Sequence, residues 1–266
     1  MDQLIKSRDA FSAKHPERRA LINQREWGVL KLGSTGPKLI LLPGTLGRAD
    51  IFWQQIEILQ GRTQILALSY PDRGGLEDWA ADVVALIAAE NMQGATVLGS
   101  SMGGYLAQYL AATQPLLFTA LIAANTLASV KGIDQAMPYV LDLDATPIAD
   151  LRQGFTTGLA QWAAPHPNAA LGALLIGEVE SRIPAGELVA RLKLLKYAPE
   201  LPAPALPQSQ TFIIDVGDDH LITPPMRAQL REALPAKAFH FASGSHFPYV
   251  TRPADYTAIL EEVLGL

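Results

Sequence analysis

The chain has 266 residues, 49% of them hydrophobic, and no cysteine. That is enough to bury a large core without staples, and it excludes disulfides, thiolate catalysis and cysteine-based zinc sites together. A formal net charge of -5, with no basic run, argues against nucleic acid or an anionic membrane as partner. The start, MDQLIKSRDAFSAKHPERR, lacks the apolar core of a signal peptide, and no apolar run could span a bilayer, so a soluble cytoplasmic protein is expected.

In chain order, residues 1–25 are charged, with a short helical pattern around Leu4 to Ala13, and read as a peripheral arm in which His15 and the Arg-rich segment after it are solvated. Trp27 to Leu32 alternates like a half-buried strand, and KLILL (38–42) reads as a buried one that ends in Pro43-Gly44-Thr45-Leu46-Gly47. Asp50 is placed to cap a helix over Ile51 to Gln60. TQILALSY (63–70) is the next strand, and Leu76 to Glu90 carries apolar residues at helical spacing. ATVLG (95–99) then runs into Ser100, Ser101 and a helix over Tyr105 to Thr113, followed by the strand FTALIAA (118–124). Strands and helices alternating at these lengths imply a parallel sheet covered on both faces.

The alternation lapses over residues 127–206. This stretch holds prolines, a loop histidine (His166), two helical candidates (Ala169 to Ile183 and Gly186 to Tyr197) and the proline-rich PELPAPALP. It reads as an inserted cap on a core of residues 1–126 and 207–266, with Met137, Tyr139, Phe155 and Trp162 suggesting a mostly apolar pocket. The pattern resumes with the strand TFIIDV (211–216), Gly217-Asp218-Asp219-His220, a helix over Pro225 to Leu234, a strand over Ala238 to Ala242, SGSHFP (243–248) and a last helix from Pro253. No internal repeat is present.

The chemistry-bearing motif is G-x-S-x-G at Gly99 to Gly103, placed where a strand turns into a helix. The residue at such an apex is strained and is tolerated only if its neighbours two before and two after lack bulk. Gly99 and Gly103 supply that room for Ser101, whereas Ser100 has Leu98 and Met102 at those positions. A serine hydroxyl is a poor nucleophile and needs an imidazole, itself oriented by a third group. His246, in the loop after the last strand, is the candidate base; His240 falls within the strand and His220 beside the acidic pair. The acid is expected after the preceding strand, where only one of the adjacent Asp218 and Asp219 can face the imidazole; Asp219 is preferred, with Asp218 the alternative. The backbone N–H groups of Thr45 and Met102 are the candidate oxyanion donors. The turn lacks the Lys-Ser/Thr end of a phosphate-binding P-loop.

On LLPGTLG, ALSYPDRGG, VLGSSMGGYLAQ, DVGDDHLITPP and SGSHFPYVTRPADY, the chain resembles the α/β-hydrolase fold superfamily over nearly its whole length. LPGTLGRADIFWQQI, GGYLAQ and HFPY resemble its maspardin-like subgroup. The resemblance implies an α/β-hydrolase fold, with a mostly parallel sheet, flanking helices and a mainly helical cap, and a serine hydrolase architecture. Two departures stand out: Pro43-Gly44 replaces the superfamily's usual His-Gly, and its common acid spacing after Gly217 would fall on His220. The expectation is a cofactor-free, metal-free serine hydrolase of small carboxylic esters, thioesters or related acyl compounds. A non-catalytic binding or scaffolding protein with an impaired triad is the alternative.

Overall fold

The computed structural model describes residues 3–164 and 168–266, so the loop histidine His166 lies outside the described residues. One eight-stranded sheet runs through the molecule in the order β1-β2-β4-β3-β5-β6-β7-β8. Its strands are β1 (Arg18–Ile22), β2 (Arg25–Leu32), β3 (Lys38–Leu42), β4 (Gln64–Ser69), β5 (Ala95–Ser100), β6 (Phe118–Ala124), β7 (Thr211–Val216) and β8 (Lys237–Phe241). β1 and β2 join antiparallel, and every pairing from β4 to β8 is parallel. β3, β6 and β7 coincide with the runs KLILL, FTALIAA and TFIIDV, because strands covered on both faces need apolar residues at nearly every position.

Alternate residues of these strands feed two cores. Ile40, Leu42, Leu66 and Leu68 face α3 (Leu76–Ala89) and α4 (Met102–Thr113), with Leu230 of α8 (Pro224–Ala233) in the same cluster. Leu39, Leu41, Ile65 and Ala67 face the other way, toward α1 (Gln3–Lys14), α2 (Trp53–Leu59) and α10 (Pro253–Leu264). A single turn, α9 (Pro248–Thr251), precedes α10. No helix among the described residues is long and apolar enough to cross a membrane.

Between β6 and β7 the chain leaves the sheet, and the described residues there form three α-helices: α5 (Ile148–Ala163), α6 (Ala169–Gly177) and α7 (Ala185–Lys196). α6 and the π-helical turn after it, Glu178–Arg182, occupy the first candidate helix, and α7 the second. α5 escapes the sequence reading because Gly154, Gly158, Thr156 and Thr157 blur its apolar face, only Leu151 and Ala163 being buried.

Two readings need correction. The amino-terminal segment is not a peripheral arm: α1 buries Phe11 and Arg8, the latter ion-paired with buried Glu178, and Arg18 and Arg19 form an edge strand. His15 is half-buried, with its ring 4.9 Å from that of Phe11. Asp50 caps nothing either: it sits inside the 3₁₀ turn Ala49–Phe52, buried, and takes hydrogen bonds from Ser12 and from Arg182 at 2.5 Å. An aspartate that precedes a helix in sequence is a cap only if it is not claimed by a stronger, charged donor.

Because Phe11 is 1% exposed, Phe11→Ala is expected to cost about 3–5 kcal/mol in urea unfolding. A loss below roughly 0.5 kcal/mol, the level of ordinary surface substitutions, would return the helix to the periphery.

Candidate active site

β5 ends at Ser100 and α4 starts at Met102, leaving Ser101 alone at the turn with φ 55° and ψ -120°. The sterics around it are severe. A Cβ on Gly99 would stand 2.0 Å from the Gly103 carbonyl oxygen, and one on Gly103 would stand 2.2 Å from the carbonyl oxygen of Leu42. Only glycine permits these approaches, and they draw β5, α4 and the end of β3 together. The turn is pinned by Ser101 N–H on the Ala124 carbonyl (2.9 Å) and by the Thr126 hydroxyl on the Ser101 carbonyl (2.7 Å). The Ser101 side chain makes no capping bond to α4, so its partly exposed hydroxyl stands at the helix N-terminus, where the macrodipole favours negative charge.

The loop after β3 lies against this serine: a Cβ on Gly44 would be 3.7 Å from Ser101 Oγ. Within the loop, Gly47 N–H donates to the Gly44 carbonyl at 3.0 Å and the Tyr70 hydroxyl donates to the Pro43 carbonyl at 2.7 Å. The N–H groups of Thr45 and Met102 have no backbone partner among the described residues.

The loops after β7 and β8 meet at the same, carboxyl end of the sheet. His246 is 3% exposed, and its Nδ1 lies 2.8 Å from Asp219 Oδ2. A carboxylate only accepts, so Nδ1 carries the proton and Nε2 is left as an acceptor. Asp219 Oδ2 also accepts from Asn125 Nδ2 (2.9 Å), and Oδ1 takes the N–H groups of Leu221 (2.8 Å) and Ile222 (2.9 Å). Burial alone would raise the Asp219 pKa. The hydrogen bond and charge of His246, with those from Asn125 and Ile222, outweigh it and hold Asp219 at about 2.

Asp218 points elsewhere. Its Oδ1 accepts the N–H groups of Gly244 (2.9 Å) and Ser245 (2.8 Å), tying the β7 loop to the loop that carries His246. The two aspartates thus divide: one carboxylate meets the ring, and the other holds the backbone beneath it. The departure from the superfamily's acid spacing is absorbed in the turn, since Asp219 still reaches the imidazole.

His240 and His220 make their own contacts. His240 sits half-exposed on β8 with Nδ1 2.5 Å from Asp215, which Arg231 also engages at 2.5 Å. His220 is exposed except where Trp162 of α5 stacks on it, ring centroids 4.9 Å apart. That cover, together with His246, lowers its pKa, while Asp219 and Asp218 act in the opposite sense.

Of the four inserted residues expected to line an apolar pocket, Tyr139 and Phe155 pack on one cluster of Leu143, Leu151 and Leu192, which Met137 and Trp162 do not join. Met137 is 66% exposed, Phe155 packs with Leu151 and Leu192, and Trp162 lies on His220. Tyr139 bonds to the β3 loop: burial pushes its hydroxyl up to about 12, partly offset by a hydrogen bond with Thr45. A cavity of about 250 Å³ lies away from Ser101, between Gln108 and Ala111 of α4 and the proline-rich Leu201 to Leu206. No group of three or more His, Asp or Glu that could hold a metal ion occurs among the described residues.

Asn125 and Arg191 were missed in the sequence. Asn125 directly follows β6, at the same sheet end as Ser101, and that position was a readable signal. Arg191, fully buried on α7, donates to the carbonyls of Thr45 (2.9 Å) and Gly47 (2.8 Å); nothing in LVARLKLL marks it off from a surface arginine.

Comparison with known proteins agrees with this architecture. The chain is 23% identical to maspardin from Danio rerio over 261 residues, covering 94% of this chain and 83% of that protein. It is 23% identical to human maspardin over 255 residues, 92% of this chain and 82% of the relative. Among solved structures, an enol-lactonase from Burkholderia xenovorans superposes with a TM-score of 0.76 at 17% identity, over 94% of this chain and all of that one (100%). An esterase from Rhodococcus sp. gives 0.73 at 18% identity, over 94% and 98%. These likenesses show an α/β-hydrolase fold. The model of the alpha/beta hydrolase family matches residues 39–259, from the first parallel strand to the last helix, and the chain belongs to that family.

Proposed function

We propose that the protein is a serine hydrolase that cleaves small carboxylic esters, thioesters or related acyl compounds through an acyl-enzyme. The observation that carries this reading is the buried His246–Asp219 pair, 2.8 Å apart, at the same sheet end as a strained serine whose hydroxyl caps no helix. A buried imidazole on a carboxylate is costly to desolvate, and its use is to hold one tautomer and offer the other nitrogen as a base.

In this mechanism His246 Nε2 takes the Ser101 proton as Oγ attacks the acyl carbon. The tetrahedral oxyanion is received by the N–H groups of Thr45 and Met102, and Asp219 stabilises the imidazolium. His246 then returns the proton to the leaving oxygen or sulfur, whose bond to the acyl carbon breaks. Water, deprotonated by the same imidazole, attacks the acyl-serine; the imidazolium returns that proton to Ser101 Oγ as its bond to the acyl carbon breaks, releasing the acid and the free serine. The balance needs only water, so no cofactor is invoked.

Fluorophosphonate labelling of the intact protein is expected to place one adduct on Ser101 and none on Ser101→Ala. No adduct at probe levels that label a known esterase would sink the hydrolase reading and favour a non-catalytic binding role. For the acid, Asp219→Asn is expected to lower kcat on the order of 10³–10⁴-fold by releasing the imidazole tautomer. Asp218→Asn, which loosens only the loop under His246, should cost far less; the reverse order would reassign the acid. The depressed Asp219 pKa also predicts stability. Its folded-state value lies below the ordinary carboxylate value near 3.9, so the contribution is full above about pH 4 and is lost as pH falls toward 2. The gap in urea stability between wild type and Asp219→Asn should therefore narrow by roughly 2 kcal/mol between pH 6 and pH 2.

A further inference from the structure

We infer that Arg191 is a positioning residue for the oxyanion loop, supplied to the core by helix α7 of the inserted segment. The inference rests on the proposed hydrolase reading for its catalytic consequence, but the anchoring itself stands on geometry alone. Arg191 is 0% exposed, and its Nη1 bridges two carbonyls of one turn, those of Thr45 (2.9 Å) and Gly47 (2.8 Å). Nη2 is held by Glu187 at 3.3 Å, one helical turn back, and Glu187 takes Arg19 of β1 on its other oxygen at 3.1 Å. The guanidinium carbon lies 5.4 Å from the centre of the Tyr70 ring, and the hydroxyl of that ring holds the Pro43 carbonyl.

The consequence follows from peptide planarity. A trans peptide carries its C=O and N–H on opposite sides, so fixing one fixes the other. The Gly44 carbonyl faces Gly47 N–H inside the turn, which turns Thr45 N–H outward, where it has no backbone partner. That turn persists only while its flanking peptide planes hold still. Tyr70 grips the plane before it at Pro43, and Arg191 grips the two that follow, at Thr45 and Gly47. Three alternate carbonyls are therefore clamped by side chains, and the one between the first two, Gly44, held within the turn by Gly47 N–H, belongs to the plane that presents the Thr45 donor. An arginine suits this task because one arm of its planar fork donates to both carbonyls while the other is held by Glu187, and its charge strengthens the bonds, whereas an ammonium is a point donor. Burial lowers the Arg191 pKa to about 10, still well above neutral, so the fork stays charged in its enclosed site.

The arrangement also divides the inserted segment. α7 cannot swing away from the sheet without leaving a buried guanidinium and two loop carbonyls unpaired, so it belongs mechanically to the site. The Met137 to Val140 stretch and α5 carry no such tie to the turn's carbonyls.

The test compares wild type with Arg191→Met and Arg191→Lys in the full chain. By hydrogen exchange, the amides of residues 44–49 should exchange at least tenfold faster in Arg191→Met, and less so in Arg191→Lys, while peptides from β5 and β6 keep wild-type protection. In ester hydrolysis, kcat should fall at least 30-fold with KM changed less than threefold, because a transition-state donor is displaced and ground-state contacts are not. In a third variant, Arg191→Ala, millimolar guanidinium should restore part of kcat, with no such effect on wild type. Unchanged loop exchange in a folded variant overturns the inference. So does acceleration spread evenly over the sheet in both variants, which marks a general packing role. If wild type neither turns over esters nor labels at Ser101 while loop exchange responds as stated, the hydrolase reading fails and the anchoring stands.

Discussion

Close approach at the turn between β5 and α4 is the constraint on which the site depends. With 2.0 Å between a notional Gly99 Cβ and the Gly103 carbonyl, and 2.2 Å between a Gly103 Cβ and the Leu42 carbonyl, three elements share a space that admits no side chain. Two results follow together. Ser101 is driven to φ 55°, a conformation that non-glycine residues adopt only when their surroundings over-determine it. The β3 loop comes against its hydroxyl at Gly44, so the hydroxyl stands between that loop and the N-terminus of α4, while the loop's own peptide planes are held by Tyr70 and Arg191.

Around this turn, the inserted segment and the amino-terminal helix are fastened by buried charge and not by an apolar face alone. Arg8 and Arg182 both engage Glu178, Arg182 continues to Asp50, and Arg48 joins the Arg182 carbonyl to Glu17. Desolvation offsets most of what such pairs gain, so they add little net stability. Breaking one costs about 3–5 kcal/mol, because a charge is left stranded. The network therefore acts on geometry: the segment after β3 is held from α1 on one side and from the residues between α6 and α7 on the other. Arg191 extends the same logic inward, to the carbonyls of the turn itself.

The acid side of the site shows how two adjacent carboxylates take separate tasks. In a tight turn consecutive side chains diverge, so Asp218 and Asp219 face different partners although both belong to the β7 loop. Asp219 gathers four donors, two from backbone and two from side chains, which is why its charged form survives burial. Asp218 stays at the surface and ties the two loops together through backbone N–H groups. One group fixes a protonation state and the other fixes a distance.

The sequence by itself determined the strands buried on both faces, the alternation that makes the sheet parallel from β4 to β8, and the glycine turn at Ser101. Each of these depends on neighbours within a few residues, such as a continuous apolar run, a helical spacing or a missing Cβ, and local sterics can be read from local sequence. Placing His246 in the loop after the last strand was legible for the same reason. Tertiary structure alone decided that Asp219 and not Asp218 meets that histidine, that Phe11 and Arg8 are interior, that Asp50 answers to Arg182 instead of capping a helix, and that Arg191 holds the β3 loop. In each case the deciding partner lies far along the chain: 27 residues for Asp219 and His246, 132 for Asp50 and Arg182, 144 and 146 for Arg191 and its two carbonyls. A charged side chain takes whichever opposite charge or carbonyl the fold brings to it, and no spacing in the sequence records that meeting.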